Sequence, residues 1–275
     1  MNVPAAASPD LLGDVTIVVP VWDSYVERFL PEALDALERS AASAQIVIVD
    51  NASTVSVPGH NGAIVVRSSE RLSVGAARNL GLSAVDTPYV VFWDADDVIL
   101  PGALSELRRR LEACPTAMAA ASVILESSSH AHHWPRPATL PLAHFPRLFG
   151  VLHCVCSLFP TTGSVMLRTS STRDAGGFAD TDGGDDWVLG ASLAFRGEIL
   201  FDGRPGRLYR QHPDSISAAW RPVPHLIAHA AAVRRRVRAD DAIPRPARVL
   251  APFLAPLQWL VIFVLRPLRR ARWRA

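Results

Sequence analysis

Three carboxylates occupy four positions at Asp94-Ala95-Asp96-Asp97, directly after the apolar run Tyr89-Val90-Val91-Phe92-Trp93. So short a run of large apolar residues reads as a strand buried on both faces, and open α/β sheets place their ligands at the carboxyl ends of such strands. Oxygen donors spaced Asp-x-Asp suit a hard divalent ion, Mg2+ or Mn2+, which binds through one or two carboxylates and completes its shell with substrate phosphates. The competing role is helix capping, because Leu100-Pro101-Gly102-Ala103-Leu104 opens a helix just downstream and Asp caps helices well. Capping occupies one acid, not three, so a cation beside a phosphate is expected. A second acidic pair, Asp185-Asp186, precedes a helical stretch at 187–195. Adjacent carboxylates resist joint ionisation, which raises one pKa towards the working range of a general base.

Positioning these acids requires strands that alternate with helices. Strands are predicted at 15–19, 46–49 and 63–67, and helices at 31–41 and 75–85, before the strand that ends at Trp93. This alternation indicates βαβ units and a mostly parallel sheet. Asp23 follows the first strand, Asp50 and Asn51 the second and Asp94 to Asp97 the last, so three of the strand exits deliver acids or amides to one sheet edge. No Gly-x-Gly-x-x-Gly follows the first strand and no Gly-x-x-x-x-Gly-Lys occurs, which argues against a dinucleotide oxidoreductase and a P-loop enzyme.

Composition sets outer bounds. The 275 residues are 49% hydrophobic, ample for a core. All 28 basic residues are Arg, a coding bias rather than chemistry. Residues 1–203 carry 13 Arg against 23 acids, while 204–275 carry 15 Arg against 3 acids, so an acidic body precedes a basic tail. Cys114, Cys154 and Cys156 read as reduced thiols, and positions 1–14 lack the features of a signal peptide, so a cytoplasmic location is expected.

Val18-Val19-Pro20-Val21-Trp22-Asp23, Val49-Asp50-Asn51-Ala52-Ser53, Gly75-Ala76-Ala77-Arg78-Asn79-Leu80-Gly81 and Trp93-Asp94-Ala95-Asp96-Asp97 follow one another in order. Gly163-Ser164-Val165-Met166-Leu167-Arg168, Ala175-Gly176-Gly177-Phe178, Asp185-Asp186-Trp187 and Tyr209-Arg210-Gln211-His212 through Ser217 continue the series. Together they resemble the motifs of family 2 glycosyltransferases, which have the GT-A fold and are inverting enzymes that use nucleotide-diphosphate sugars. The resemblance implies an α/β domain over 15–217, with a nucleotide-binding half at 15–100 and an acceptor half at 101–217 whose loop 126–160 covers the acceptor. Residues 1–14 are then an extension and 218–275 a helical basic tail. The acceptor implied is a hydroxyl of a cell-envelope polysaccharide, glycolipid or similar glycoconjugate. By the same resemblance Pro20, Trp22, Asp50, Asn51, Arg78 and Asp94 bind the donor, Asp50 at the nucleobase and Asp94 near the ribose. Asp96 and His212 take the metal, and Asp186, beside Asp185, is the general base. Trp22, Asp23, Asn51 and Arg71 depart from the usual family residues, and these departures bear on nucleotide preference.

Beyond 217 a helix is expected at 224–238, with Arg234-Arg235-Arg236 near its carboxyl end, followed by an apolar stretch at 249–265 and five arginines at 266–274. That pattern fits an anchor lying on an anionic membrane surface better than a nucleic-acid site, which lacks its motifs here. Two other functions share the acidic strand exit: a catalytically silent sugar-nucleotide-binding protein of the same fold, and a metal-dependent phosphohydrolase. The histidines His130, His132 and His133 read as surface loop groups rather than a metal site.

Overall fold

The computed structural model describes residues 12–60, 62–135, 141–142, 144–212 and 223–265. A buried seven-residue strand, β1 (Val15–Val21), leads into a short helix α1 (Ser24–Arg28) and then α2 (Leu30–Ala41), which turns Leu30, Ala33, Leu34 and Leu37 inward. Next come β2 (Gln45–Asn51), β3 (Ile64–Ser68), α3 (Val74–Ser83), β4 (Tyr89–Phe92), β5 (Val98–Ile99) and α4 (Ala103–Ala113). The second half adds β6 (Ala117–Glu126), β7 (His132–Trp134), α5 (Pro146–His153), β8 (Val165–Arg168), α6 (Thr169–Asp174), α7 (Asp185–Arg196) and β9 (Glu198–Tyr209). A long helix α8 (Val223–Ala239) precedes α9 (Arg245–Leu250), a 3-10 turn at Ala251–Leu254, α10 (Ala255–Leu260) and a π turn at Val261–Leu265.

One sheet runs in the order β3-β2-β1-β4-β8-β6-β9-β5, with β7 on β6. The first four strands pair in parallel, as the βαβ pattern demands. Beyond β4 the pairing is mixed: β8 is antiparallel to β4 and β6, and β9 is parallel to β6 but antiparallel to β5. The central strands are apolar on both faces because helices cover both: α2 and α4 on one side, α3 and α7 on the other.

The segment 126–160 is not a loop throughout. Its second half folds into α5, which buries Phe149 and His153 against α7, and Phe159 and Cys154 are also fully buried. Its apolar periodicity is masked in sequence by two histidines, three cysteine or serine positions and the flanking prolines. Helix α4 begins at Ala103 with Gly102 in the left-handed conformation before it, so no strand-exit acid caps it. Cys114 and Cys154 are free thiols.

His153 is the buried group with the clearest consequence for stability. Its Nδ1 accepts a 3.1 Å hydrogen bond from the Leu158 amide, its ring lies 5.2 Å from that of Phe159, and burial pushes its pKa from 6.5 down to about 3. A histidine neutral when folded favours unfolding once the unfolded chain can protonate it, so this contribution is intact above the unfolded pKa and declines below it. Between about pH 8 and about pH 5.5 the wild type should lose roughly 1.4 kcal/mol more than a His153→Leu variant in urea denaturation. Equal losses would mean that the imidazole protonates in the folded state.

Candidate active site

The chain turns sharply at the end of β4. The Trp93 amide still donates to Val18 O on β1 (2.8 Å), and the Asp97 amide donates to Asp94 O (3.1 Å), closing a turn that points its three acids in different directions. Asp94 accepts from Arg78 Nη2 at 2.7 Å and from Arg207 Nη2 at 2.9 Å. Asp97 is ion-paired with Arg207 and accepts the Arg210 amide at 2.8 Å. Asp96 alone has no arginine among the described residues: its Oδ2 accepts from Tyr25 Oη at 3.3 Å and lies 2.9 Å from His212 Nε2. Two of the three carboxylates are therefore neutralised by the protein itself, so the expectation that the cluster as a whole requires a cation narrows to Asp96.

Arg78 reaches this turn from α3, and the sequence around it explains how. Ser73 caps the helix through the Ala76 amide. A Cβ on Gly75 would overlap the Ala179 carbonyl oxygen, so only glycine lets α3 approach the 178–182 segment. Asn79 exchanges two hydrogen bonds with the Phe178 backbone, each 2.9 Å. Gly177, just before, has φ +62° and faces Asn79. Two motifs distant in sequence thus form one joint, and that joint aims Arg78 at both halves of the site.

On the far side Arg78 Nη1 donates to Asp185 Oδ2 at 2.6 Å. Asp185 and Asp186 occupy the first turn of α7, with Gly184 rather than either acid at the cap. Asp186 makes no ion pair among the described residues; its Oδ1 accepts the Trp187 amide at 2.7 Å. Burial, reinforced by the neighbouring Asp185, pushes Asp186 up from 3.8 to about 7, against the pull of Arg78. Burial also raises Asp185, although its arginine opposes this. In Asp94 the sum of Arg78 and Arg207 outweighs burial, and its pKa is lowered. Burial disfavours the charge on Arg78, but Asp185, Asp94 and Asp186 together more than compensate, and its pKa rises.

These groups surround a cavity of about 280 Å3, at the small end for ligand pockets. Pro20, Trp22, Arg78, Asp94, Asp96, Asp185 and Asp186, all singled out in sequence, line it. Asp50 and Asn51 do not. Asp50 is buried, ion-paired with Arg67 and bonded to the Ser53 amide, while Asn51 exchanges hydrogen bonds of 3.0 and 2.8 Å with the Leu72 backbone. Both organise the loops beside the cavity. Arg71 stacks its guanidinium 4.3 Å from the Trp22 ring centroid. Asp97 is an internal ion-pair partner rather than a cap. Tyr25, Arg207 and His229 also line the cavity and were not singled out in sequence. Arg207 lies in a run of polar and glycine residues that gives no periodic signal, and α1, which carries Tyr25, is only five residues long. The positions 213–217 that close the last motif lie outside the described residues.

Asp96 and His212 are compatible with a divalent ion. Their facing atoms lie 2.9 Å apart, close to the roughly 3 Å between adjacent ligands of an octahedron with bonds of about 2.1 Å. The described residues hold no group of three or more His, Cys, Asp or Glu placed to bind a metal. Two protein donors plus substrate oxygens are what Mg2+ commonly uses.

The sequence profile described as Glycosyl transferase family 2 matches residues 16–172, more than half of the chain. The chain belongs to glycosyl transferase family 2. Solved glycosyltransferase structures share its GT-A fold. TarS 1–349 of S. aureus in complex with UDP-GlcNAc superposes with a TM-score of 0.66 at 11% identity, covering 90% of this chain and 73% of that one. The mannosyltransferase PcManGT from Pyrobaculum calidifontis, with GDP-Man and Mn2+, gives 0.62 at 19% identity over 94% and 73%. Glucosyl-3-phosphoglycerate synthase from Mycobacterium tuberculosis, with Mn2+, UDP-Glc and phosphoglyceric acid, gives 0.56 at 18% over 88% and 86%. No curated protein sequence matches the chain.

Removing Arg207 leaves Asp97, whose side chain is fully buried, without its cation. Arg207→Met should therefore destabilise the fold by about 3–5 kcal/mol in denaturant titration, and adding Asp97→Asn should recover part of that loss. A single-variant loss below about 1 kcal/mol would show that the pair is solvated.

Proposed function

We propose that the protein is an inverting glycosyltransferase that moves a sugar from a nucleotide-diphosphate donor to a hydroxyl of a glycan or lipid-linked acceptor of the cell envelope. The observation that carries this reading is the division of labour in the Asp185-Asp186 pair. Arg78 holds Asp185, whereas Asp186 lines the cavity with no ion pair among the described residues and with its pKa pushed to about 7. A carboxyl tuned to neutrality can take a proton at physiological pH, which an ordinary aspartate does poorly.

The donor lies along Pro20, Trp22, Arg78 and Asp94, with Asp50 and Asn51 shaping the base-side loops. Asp96 and His212 would hold Mn2+ or Mg2+, which when bound neutralises charge on the leaving diphosphate. Single displacement places the base opposite that leaving group. Asp186 takes the acceptor hydroxyl proton as the oxygen attacks the anomeric carbon and the bond to the diphosphate breaks. Arg78 pairs with Asp185 beside it and favours its anionic form, and a neighbouring carboxylate charge raises the basicity of Asp186. The solved relatives crystallised with UDP-GlcNAc, GDP-Man and Mn2+, and UDP-Glc and Mn2+ support this class of donor.

The acceptor side adjoins α8, and the helices after α8 support a peripheral position on the inner face of a membrane in a cytoplasmic enzyme. Val249, Phe253, Leu257 and Leu260 are exposed on one face of this run, while Ala251, Gln258 and Ile262 are buried on the other. The stretch Arg245–Phe263 is long and apolar enough to cross a bilayer. Gln258 nevertheless ties it to α8, accepting from Arg234 at 2.8 Å and donating to Leu226 O at 3.0 Å, so a surface location is preferred over a span.

Asp186→Asn should lower turnover by roughly 10²–10⁴-fold with donor affinity nearly intact. In the wild type, turnover should fall as pH drops through about 7, because the protonated acid cannot act as base. A variant keeping more than about a tenth of wild-type turnover would remove Asp186 from the role. Asp96→Ala should abolish Mn2+-dependent UDP binding in calorimetry, and binding that persists unchanged in EDTA would count against the metal assignment.

A further inference from the structure

The arginines of α8 do not all serve the surface that the sequence assigns to them. Arg234 is buried and bonded to Gln258, and Arg236 donates to the Ala175 carbonyl at 2.7 Å, so of the run 234–236 only Arg235 is exposed. A different set converges instead. Arg238 from the last turn of α8 and Arg245 and Arg248 from α9 line a groove of about 390 Å3, whose other wall is Val249, Pro252 and Phe253.

Three features of this groove belong together. Arg238 and Arg245 are exposed and make no ion pair among the described residues. Arg248 pairs with the exposed Asp241, yet its Nε is buried without a partner among the described residues. Val249 and Phe253, 60% and 74% exposed, begin the apolar face that continues through Leu257 and Leu260. A guanidinium cluster, two of its three members without an ion pair among the described residues, sits at the edge of an exposed apolar surface. Guanidinium forks match phosphate oxygens, and the apolar wall matches the glycerol and upper acyl carbons that adjoin a lipid phosphate. A polypeptide partner offers no reason for the cations and the apolar face to open side by side, whereas a bilayer presents anionic groups directly above hydrocarbon.

We propose that the groove between α8 and α9 is a binding site for the phosphate headgroup of an anionic phospholipid. The inference rests on the membrane contact proposed above and adds a defined site to it. Arg238 lies nine residues beyond His229 on the same helix, and His229 lines the catalytic cavity. At about 1.5 Å per residue the two points are roughly 14 Å apart along the axis, so a seated headgroup fixes the cavity close to the bilayer surface.

The test compares the full chain with Arg238→Gln/Arg245→Gln in sedimentation with vesicles of phosphatidylcholine alone and of phosphatidylcholine containing phosphatidylglycerol, at low salt. Both positions are exposed and outside the cavity, so an unchanged thermal midpoint is expected. The double variant should bind the anionic vesicles about thirtyfold more weakly and the neutral vesicles equally well. Phe253→Ser/Leu257→Ser should weaken binding to both. Arginine variants that bind anionic vesicles like the wild type overturn the headgroup site while leaving membrane association standing. A wild-type protein that sediments with neither vesicle overturns both.

Discussion

Arg78 is a guanidinium buried at the centre of the molecule, and the active site is organised by the charges it satisfies. It bonds Asp94 at the exit of β4 and Asp185 at the start of α7, two elements contributed by different halves of the chain. A buried cation is tolerable only with such partners, and buried carboxylates equally need the cation. The consequence is selective. Asp94 is held ionised and Asp185 is tied down, which leaves Asp96 for other ligands and Asp186 outside any ion pair among the described residues, with burial raising its proton affinity. Arg207 performs the parallel service for Asp94 and Asp97. An acidic edge that looked in sequence like one metal cage is thus three acids with three environments.

The parallel half of the sheet was legible because its strands are short apolar runs between turn residues, and strands buried on both faces have no other pattern. The placing of Asp94 and Asp96 at one edge followed from the same logic, since strand exits line that edge, whereas Pro20, Trp22 and Arg78 came only from the family resemblance. Arg207, Tyr25 and His229 were not legible, because their positions depend on pairing between β9, α1, α8 and the first half, which a local pattern does not encode. Asp50 and Asn51 show the reverse. Their place at the end of β2 is right, but Arg67 and the Leu72 backbone, distant by 17 and 21 residues, engage them away from the cavity. The helix α5 stayed hidden because its residues are bounded by prolines and polar groups, and its apolar face is defined by tertiary packing on α7, Phe159 and Phe201.

Helix α8 joins the catalytic and peripheral parts. It packs on α7, its His229 ring faces Gly184 at the head of the helix that carries Asp185 and Asp186, and its Arg234 fastens the apolar run through Gln258. The basic character of the tail is therefore divided: part stabilises the join between α8 and the domain, and part remains free at the surface.

The division of the acidic cluster into paired and unpaired members is open to one direct observation. Carboxyl carbon chemical shifts of the aspartates, followed by 13C NMR across the pH range, report each protonation separately. Asp186 should titrate near 7 while Asp94 stays ionised well below the usual aspartate range. An Asp186 midpoint below about 5, the ordinary range for a solvated aspartate, would contradict the division of roles set by Arg78.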